Sequence, residues 1–256
     1  MRHSRGIMVG PTRIAGRRAE GETNHGMLMG ESDWRSVHDF AFLRRMLMAG
    51  ALGLACLSNA LAAGDNLPVL PPEAEAYASA GIQAFNANKL NDARTDFFKV
   101  TELVPNHPMA WVNLGSVEYR LNDLDDAESH LLKATRLDPT IAQAWLTLGI
   151  IAYQKNDFSL GLAALSQAAY LEPDNARTHL YLGVLARKQG WLDAAEAELS
   201  EAAKLDENLP EAQFNLALIY LERKPPELEL ARRHYYRALA LGAKSDADLE
   251  AALQPK

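Results

Sequence analysis

The side chains that could perform catalysis or bind a metal are scattered along this 256-residue chain without a recognisable spacing. His107, His130, His179 and His234 lie far apart, and the only cysteine is Cys56. The sequence contains no H-E-x-x-H or C-x-x-C motif, no G-x-S-x-G motif for a nucleophilic serine and no glycine-rich phosphate loop. We therefore predict that the protein is not an enzyme and binds no cofactor or metal.

The charge of the chain argues against a nucleic-acid partner. The formal net charge is −7, and it is unevenly distributed: residues 1–62 carry +3 and residues 63–256 carry −10. An acidic surface repels the phosphate backbone, so we predict no nucleic-acid binding. The acidic residues between 123 and 128 are interpreted as solvated charge at a turn and a helix start.

A repeating segment organises most of the chain. Residues 111–115 read W-V-N-L-G, and residues 145–149, 34 positions later, read W-L-T-L-G. Weaker copies occur at the same interval, at 77–81, 179–183 and 213–217. Positions in the second half of each unit recur in phase, namely Ala93, Ala127, Gly161 and Ala195, then Phe97, Leu131, Leu165 and Leu199, and finally Pro105, Pro139 and Pro173. A fixed period of this length is typical of stacked-repeat architectures.

These positions resemble the tetratricopeptide repeat, whose pattern is W-x2-L-G-x2-Y, then A-x3-F, then P. The resemblance covers residues 74–245. It implies an all-α fold, an α-solenoid coiled as a right-handed superhelix of about five helix-turn-helix units. The units are predicted at 74–107, 108–141, 142–175, 176–209 and 210–245. In the second unit, helix A is expected from Met109 to Leu121 and helix B from Leu124 to Arg136.

Several positions carry specific structural expectations. Gly115 is expected to be small because helix B of its own unit packs closely against it. The turns between helices A and B carry residues that tolerate a left-handed backbone, at Asn88, Asn122, Asn156 and Gly190. Glu118 stands where the family has an aromatic residue, which predicts either a partly open or a paired site. Two extra residues near Pro225 predict a longer turn in the fifth unit, and residues 246–256 a short capping helix and tail.

The chain before the repeats has the pattern of an export signal. Residues 1–43 are rich in Arg and Gly and are predicted to be disordered or not translated in the natural product. Residues 44–62 combine two arginines, an apolar run and an A-x-A exit, which predicts a secretory signal peptide. The apolar run Met46–Leu57 would make a helix of about 18 Å, shorter than the roughly 30 Å hydrocarbon core. No transmembrane span is therefore expected after cleavage.

This pattern predicts an exported protein, either periplasmic or associated with the outer membrane. Translation is expected to start downstream of Met1, because an export signal normally lies near the first residue. Two weaker signals leave alternatives open, lipidation at Cys56 and a twin-arginine signal at Arg44. Residues 63–73 contain three prolines and are predicted to form an extended linker.

The resemblance to the tetratricopeptide repeat also implies where a partner binds. In that family the A helices line a concave inner face, and a peptide or protein binds there. The residues expected to face this groove are Asn113, Tyr119, Arg120, Thr147, Tyr153, Gln154, Arg177, Tyr181, Arg187, Lys188 and Asn215. Four of them, Arg120, Arg177, Arg187 and Lys188, would form a basic strip that, with the tyrosines, suits the carboxylates and amides of an extended ligand. The alternative is that these side chains are ordinary solvated helix faces.

One binding mode of the family is not expected here. Members that hold a chaperone's C-terminal carboxylate carry Lys at the fifth place of a unit. The residues at that place in this chain are apolar: Ala78, Val112, Leu146, Leu180 and Phe214. A co-chaperone role of that type is therefore disfavoured.

Together these features predict a non-enzymatic scaffold or adaptor in the bacterial cell envelope, which binds an extended peptide or partner protein in the concave groove. Two alternatives remain. One is an accessory subunit that gives specificity to an enzyme complex. The other is a structural protein, a homo-oligomer, that self-associates through Tyr235, Tyr236 and the terminal helix.

Overall fold

The computed structural model describes residues 69–254, which form eleven α-helices and no β-strand. The helices are α1 (Pro72–Asn86), α2 (Leu90–Leu103), α3 (Pro108–Leu121), α4 (Leu124–Leu137), α5 (Ala142–Gln154), α6 (Phe158–Leu171), α7 (Ala176–Lys188), α8 (Leu192–Leu205), α9 (Pro210–Glu222), α10 (Leu228–Ala240) and α11 (Ala247–Ala252). Odd-numbered helices up to α9 are the A helices of successive units, and even-numbered ones are the B helices. Each A helix packs against its own B helix, and each B helix packs against the next A helix. The predicted all-α solenoid is confirmed.

Proline determines where several helices begin. Helices α3 and α9 start at Pro108 and Pro210, where the missing backbone N–H is not needed by the first helical turn. Helix α1 starts at Pro72 for the same reason, so the helical region reaches two residues into the predicted linker.

The predictions for the part of the chain before the predicted linker concern residues 1–62. The segment 1–43, the signal peptide at 44–62 and the lipidation site at Cys56 lie outside the described residues. Within residues 69–254, no helix is both long enough and apolar enough to cross a lipid bilayer.

The seam between the A and B helices of a unit is formed by a glycine facing a large side chain. A Cβ atom on Gly149 would lie 2.5 Å from Cγ of Leu165, and one on Gly115 would lie 2.8 Å from Cγ of Leu131. Both leucines are fully buried, so neither can move aside without disturbing the core. The expectation that Gly115 permits close packing is confirmed.

The turns between helices A and B adopt the predicted left-handed backbone. The φ angles are 57° at Asn88, 68° at Asn122, 60° at Asn156 and 78° at Gly190. The residue after the turn then bonds back to the helix, as where the backbone N–H of Asp123 donates to the carbonyl oxygen of Glu118 at 2.9 Å. The chain reversal inside each of the first four units is therefore determined by one residue that tolerates positive φ.

Indole side chains connect an A helix to the loop that precedes it. Trp111 Nε1 donates to the carbonyl oxygen of Pro105, and Trp145 Nε1 donates to that of Pro139, both at 2.8 Å. Each bond satisfies the one polar atom of the indole and holds the proline that ends the preceding unit.

Glu118 is a buried, paired carboxylate, which is one of its two predicted states. The residue is 4% exposed, and its Oε2 atom lies 2.7 Å from Nδ1 of His130. His130 is not an outward-facing residue. Its imidazole is half-buried and lies 5.3 Å from the ring of Trp111. A buried carboxylate needs a hydrogen-bond partner, and His130 on the facing helix provides it.

The fifth unit has the predicted longer turn. Helix α9 ends at Glu222 and α10 begins at Leu228, whereas α3 and α4 are separated only by Asn122 and Asp123. Arg223 occupies the first position of this turn and donates to Glu227 at 2.9 Å, which holds the ends of the turn together.

The short final helix α11 covers the end of the stack. The Asp246 carboxylate caps it by accepting hydrogen bonds from the backbone N–H groups of Asp248 and Leu249. Below the cap, Tyr235 is completely buried, and its hydroxyl accepts a bond from the backbone N–H of Asp246 at 2.8 Å. Tyr235 is therefore not a surface residue for self-association, contrary to that alternative, whereas Tyr236 is 62% exposed.

Candidate functional site

The A helices α3, α5, α7 and α9 lie side by side and form one wall of the solenoid. The predicted groove residues at the sixth place of each unit are Asn113, Thr147, Tyr181 and Asn215, all at most 5% exposed. The Thr147 hydroxyl donates to the carbonyl oxygen of Gln143, and Asn215 Nδ2 donates to that of Glu211, both at 2.9 Å. These two side chains are bound to their own helices. The Oδ1 atom of Asn113 is buried without a hydrogen-bond partner.

Two arginines of the predicted basic strip form hydrogen bonds with neighbouring units. Arg120 donates to Asn88 Oδ1 of the preceding unit at 2.9 Å, and its guanidinium lies 4.7 Å from the centroid of the Phe85 ring. Arg187 donates to Glu222 Oε1 of the following unit at 2.7 Å. Both arginines stand near the C-terminal end of an A helix, within reach of the neighbouring unit. Joining adjacent units is therefore one structural role of Arg120 and Arg187.

Tyr153 and Lys188 also lie near the C-terminal ends of A helices. Tyr153 is 8% exposed, and its ring centroid lies 6.4 Å from that of Phe158 at the start of the B helix. Lys188 is half-buried at the end of α7. The Tyr153 ring thus packs at the turn of its own unit.

Four of the predicted residues come together from three different A helices: Tyr119 of α3, Gln154 of α5, and Arg177 and Tyr181 of α7. Gln154 Nε2 donates to the Tyr119 hydroxyl at 3.2 Å. Burial raises the pKa of the Tyr119 phenol above its usual value and Tyr181 adds to this, while Gln154 and Arg177 oppose it. Burial raises the pKa of Tyr181 to about 12, against the opposing effect of the adjacent Arg177 guanidinium. We call these four residues the phenol–guanidinium cluster.

Glu211 of α9 borders this cluster and was not predicted. Burial raises the pKa of its carboxyl, while a bond to its own backbone and the charge of Arg177 oppose the increase. Its Oε2 atom is buried and accepts no hydrogen bond. The sequence did contain a signal, because Glu211 stands 34 residues after Arg177 and so holds the same place in its unit.

Metal-binding side chains are not grouped in the described part of the chain. Among residues 69–254, no set of three or more His, Cys, Asp or Glu side chains is arranged to hold a metal ion. What the A helices bring together instead is a set of hydrogen-bond donors and aromatic rings, which is the chemistry of recognition.

The fold and this wall of A helices define a solenoid of helix-turn-helix units. The model of the tetratricopeptide repeat family matches residues 79–140 and 146–210. The chain is a tetratricopeptide repeat protein. Proteins of this family mediate protein–protein interactions and are typically non-catalytic scaffolds.

Solved structures of other repeat proteins share the fold. MamA from Desulfovibrio magneticus RS-1 has 18% identity and a TM-score of 0.61, covering 68% of this chain and 97% of that one. PilF of Pseudomonas aeruginosa has 21% identity and a TM-score of 0.62, covering 70% and 81%. YrrB, described as a TPR protein with an unusual peptide-binding site, has 21% identity and a TM-score of 0.57, covering 69% and 88%. None of the curated protein sequences compared with the chain is significantly similar to it. At these identities the similarity concerns the fold alone.

Proposed function

We propose that this protein is a non-enzymatic scaffold of the bacterial cell envelope, which binds an extended segment of a partner protein along its wall of A helices. The observation that carries the proposal is the phenol–guanidinium cluster. Its side chains come from three successive units, so a partner that contacts it must run along the stack rather than occupy one unit. A preformed surface of this kind lowers the ordering cost of an extended ligand.

The chemistry along the wall supports an extended ligand. Tyr119 of α3 and Tyr181 of α7 carry phenol groups, and Gln154 of α5 carries an amide. The main-chain and polar groups of a partner can form hydrogen bonds with these phenol and amide groups. Among the solved structures of this fold, YrrB is described as having an unusual peptide-binding site, so a protein of this fold can bind a peptide.

The envelope location is proposed from the sequence of residues 44–62, which has the charge, length and exit site of a secretory signal. Fractionation of cells that express the protein with a C-terminal tag tests this part. A tagged product that begins near residue 63 in the periplasmic or membrane fraction supports export. A product that stays in the cytoplasm with an intact N-terminal region contradicts it.

Site-specific photo-cross-linking tests the binding face. A photoreactive residue placed at Gln154 lies on the A helix of the third unit, and one placed at Gln167 lies on its B helix. Both glutamines are half-buried, so they form a matched pair. A discrete adduct with a partner from position 154, absent from position 167, supports the proposal. Adducts from position 167 alone would place the partner on the opposite face.

Self-association is the second outcome that the same experiment detects. Tyr236 is 62% exposed next to the capped end of the stack. If the adduct from position 154 contains only this protein, and its mass in light scattering rises with concentration, the wall binds another copy of the chain.

A further inference from the structure

We infer that the phenol–guanidinium cluster recognises an acidic side chain, Asp or Glu, of the bound partner segment. This inference rests on the proposed function, since it names the chemistry that one part of the A-helix wall selects. It differs from the chaperone-carboxylate site of the family, because the fifth-place lysine which that site needs is absent at every unit.

The cluster has more hydrogen-bond donors than acceptors. The Tyr119 oxygen already accepts from Gln154 Nε2, at 3.2 Å, so the remaining capacity of this hydroxyl includes its own proton. Arg177 precedes Tyr181 by one turn of α7. Its guanidinium opposes the larger effect of burial on the pKa of the Tyr181 phenol, as a donor to the phenol oxygen does, so the Tyr181 proton is also left to donate. Within residues 69–254, neither the Tyr119 nor the Tyr181 hydroxyl donates its proton to an acceptor. Two phenol O–H groups and one guanidinium therefore converge without a receiving oxygen.

The ion-pair pattern of the other arginines shows what is missing at Arg177. Arg187 has a carboxylate at 2.7 Å, and Arg223 has carboxylates of Asp193 at 3.0 Å and Glu227 at 2.9 Å. In the described part of the chain, no carboxylate oxygen lies within 4.0 Å of the Arg177 guanidinium. A guanidinium in a partly buried setting is stabilised strongly by a bidentate carboxylate, so Arg177 is the binding position that an acidic partner would complete.

Glu211 does not fill this position. It acts on the cluster through its charge, but it lies beyond ion-pair distance of Arg177. Burial also disfavours its ionised form, which weakens it as a counter-ion. A carboxylate brought by the partner would meet two phenol donors and one guanidinium, whereas a Gln or Asn amide would gain no ion pair and would add donors of its own.

A paired peptide array tests the inference on the purified protein. The array holds short extended peptides, each synthesised once with a central Glu and once with Gln at the same position. For the peptides that bind, we expect the Glu version to bind about tenfold more tightly, a difference that falls as salt is raised. The preference should disappear in Arg177→Gln, persist in part in Arg177→Lys and remain unchanged in Arg136→Gln, whose arginine is exposed at the end of α4.

Each outcome separates the inference from the function on which it rests. If peptides bind but the two versions bind equally, or the preference survives in Arg177→Gln, the acidic specificity is wrong while binding along the wall stands. If no peptide of either version binds, both are contradicted. Thermal unfolding of each variant shows whether it is folded, and Tyr181→Phe offers a second route, since it removes one donor and should reduce the Glu preference without changing charge.

Discussion

The imidazole Nε2 of His179 lies 2.7 Å from the carbonyl oxygen of Pro173. In the second and third units a tryptophan holds this place, and its indole makes the same bond to the corresponding proline. On its other side, Nδ1 of His179 lies 2.8 Å from Glu198 Oε2. Both neighbours are acceptors, so a protonated imidazole with two N–H groups satisfies both. At this place the fourth unit thus has an imidazole, whose second N–H is lost as the pH rises, instead of an indole, whose N–H is permanent.

This replacement predicts a pH-dependent stability. Burial lowers the pKa of His179, but the bonds to Glu198 and to the Pro173 carbonyl outweigh it, so the folded value lies above the ordinary 6.5. Protonation therefore stabilises the fold. The contribution is complete below the unfolded pKa and is lost as pH rises through the folded one. Urea unfolding of the wild type should show this loss.

The control for that experiment is His179→Trp, which keeps the bond to Pro173 and removes the titration. The effect of His234, whose pKa is lowered by burial and by Arg233, has the opposite sign and cancels in the difference between the two proteins. The free energy of unfolding of the wild type minus that of the variant should decline with rising pH. A difference that stays constant from pH 5 to pH 9 contradicts the role given to His179.

Gly149→Ala should destabilise the protein by about 1 to 3 kcal/mol, because the new Cβ would lie 2.5 Å from Cγ of the fully buried Leu165. The sign of this stability change is informative, because Gly→Ala at an unconstrained helical site stabilises a protein by up to roughly 1 kcal/mol. Ser166→Ala, at an exposed position of α6, is the matched control. Denaturant unfolding measures both, and an unchanged or raised midpoint for Gly149→Ala would rule out close packing at this seam.

Asn122→Ala should cost about 1 to 2 kcal/mol, whereas Asn122→Gly should leave stability nearly unchanged. The reason is the φ angle of 68°, which alanine tolerates poorly and glycine adopts freely. Gln189→Ala is the control, because Gln189 also ends an A helix but has a φ of −82°. Equal midpoints for the alanine and glycine variants of Asn122 would show that the left-handed turn is not a determinant of stability.

Tyr235→Phe should loosen the cap of the stack. It leaves the partly buried backbone N–H of Asp246 without its partner at 2.8 Å, which should cost about 1 kcal/mol. Hydrogen exchange in α11 should become faster, while exchange in α3 and α5 should not change. Tyr236→Phe removes the same atom from a side chain that is 62% exposed and should have little effect. Similar exchange in the two variants would mean that the hydroxyl does not hold the cap.

Features inside one unit could be predicted because nearby residue types determine them. The left-handed turn at Asn122 requires only a residue that tolerates positive φ, and the seam at Gly115 requires only a small residue facing Leu131. The repeat period then places these features in four successive units, which determines an α-solenoid before any long-range contact is known.

Contacts between units were not predicted, because they depend on which side chains meet across a stacking interface. Lys155 bonds to Asp125 and Glu128 of the preceding unit, at sequence separations of 30 and 27 residues. Arg223 of the fifth unit bonds to Asp193 and Glu196 of the fourth unit, at the same separations of 30 and 27 residues. The repeated separation of 30 and 27 residues between opposite charges is the sequence feature that could have predicted these contacts. Arg120 and Arg187 were assigned only to the groove for the same reason, since their contacts lie one unit away.

The affinity of the partner for two matched variants tests whether it binds to the wall of A helices. The partner captured by photo-cross-linking is titrated against the wild type, Arg177→Gln and Arg136→Gln. We predict that Arg177→Gln weakens binding by about tenfold or more, equivalent to roughly 1.4 kcal/mol, and that Arg136→Gln binds as the wild type does. Equal affinities for all three proteins would show that the partner does not contact the phenol–guanidinium cluster of this wall.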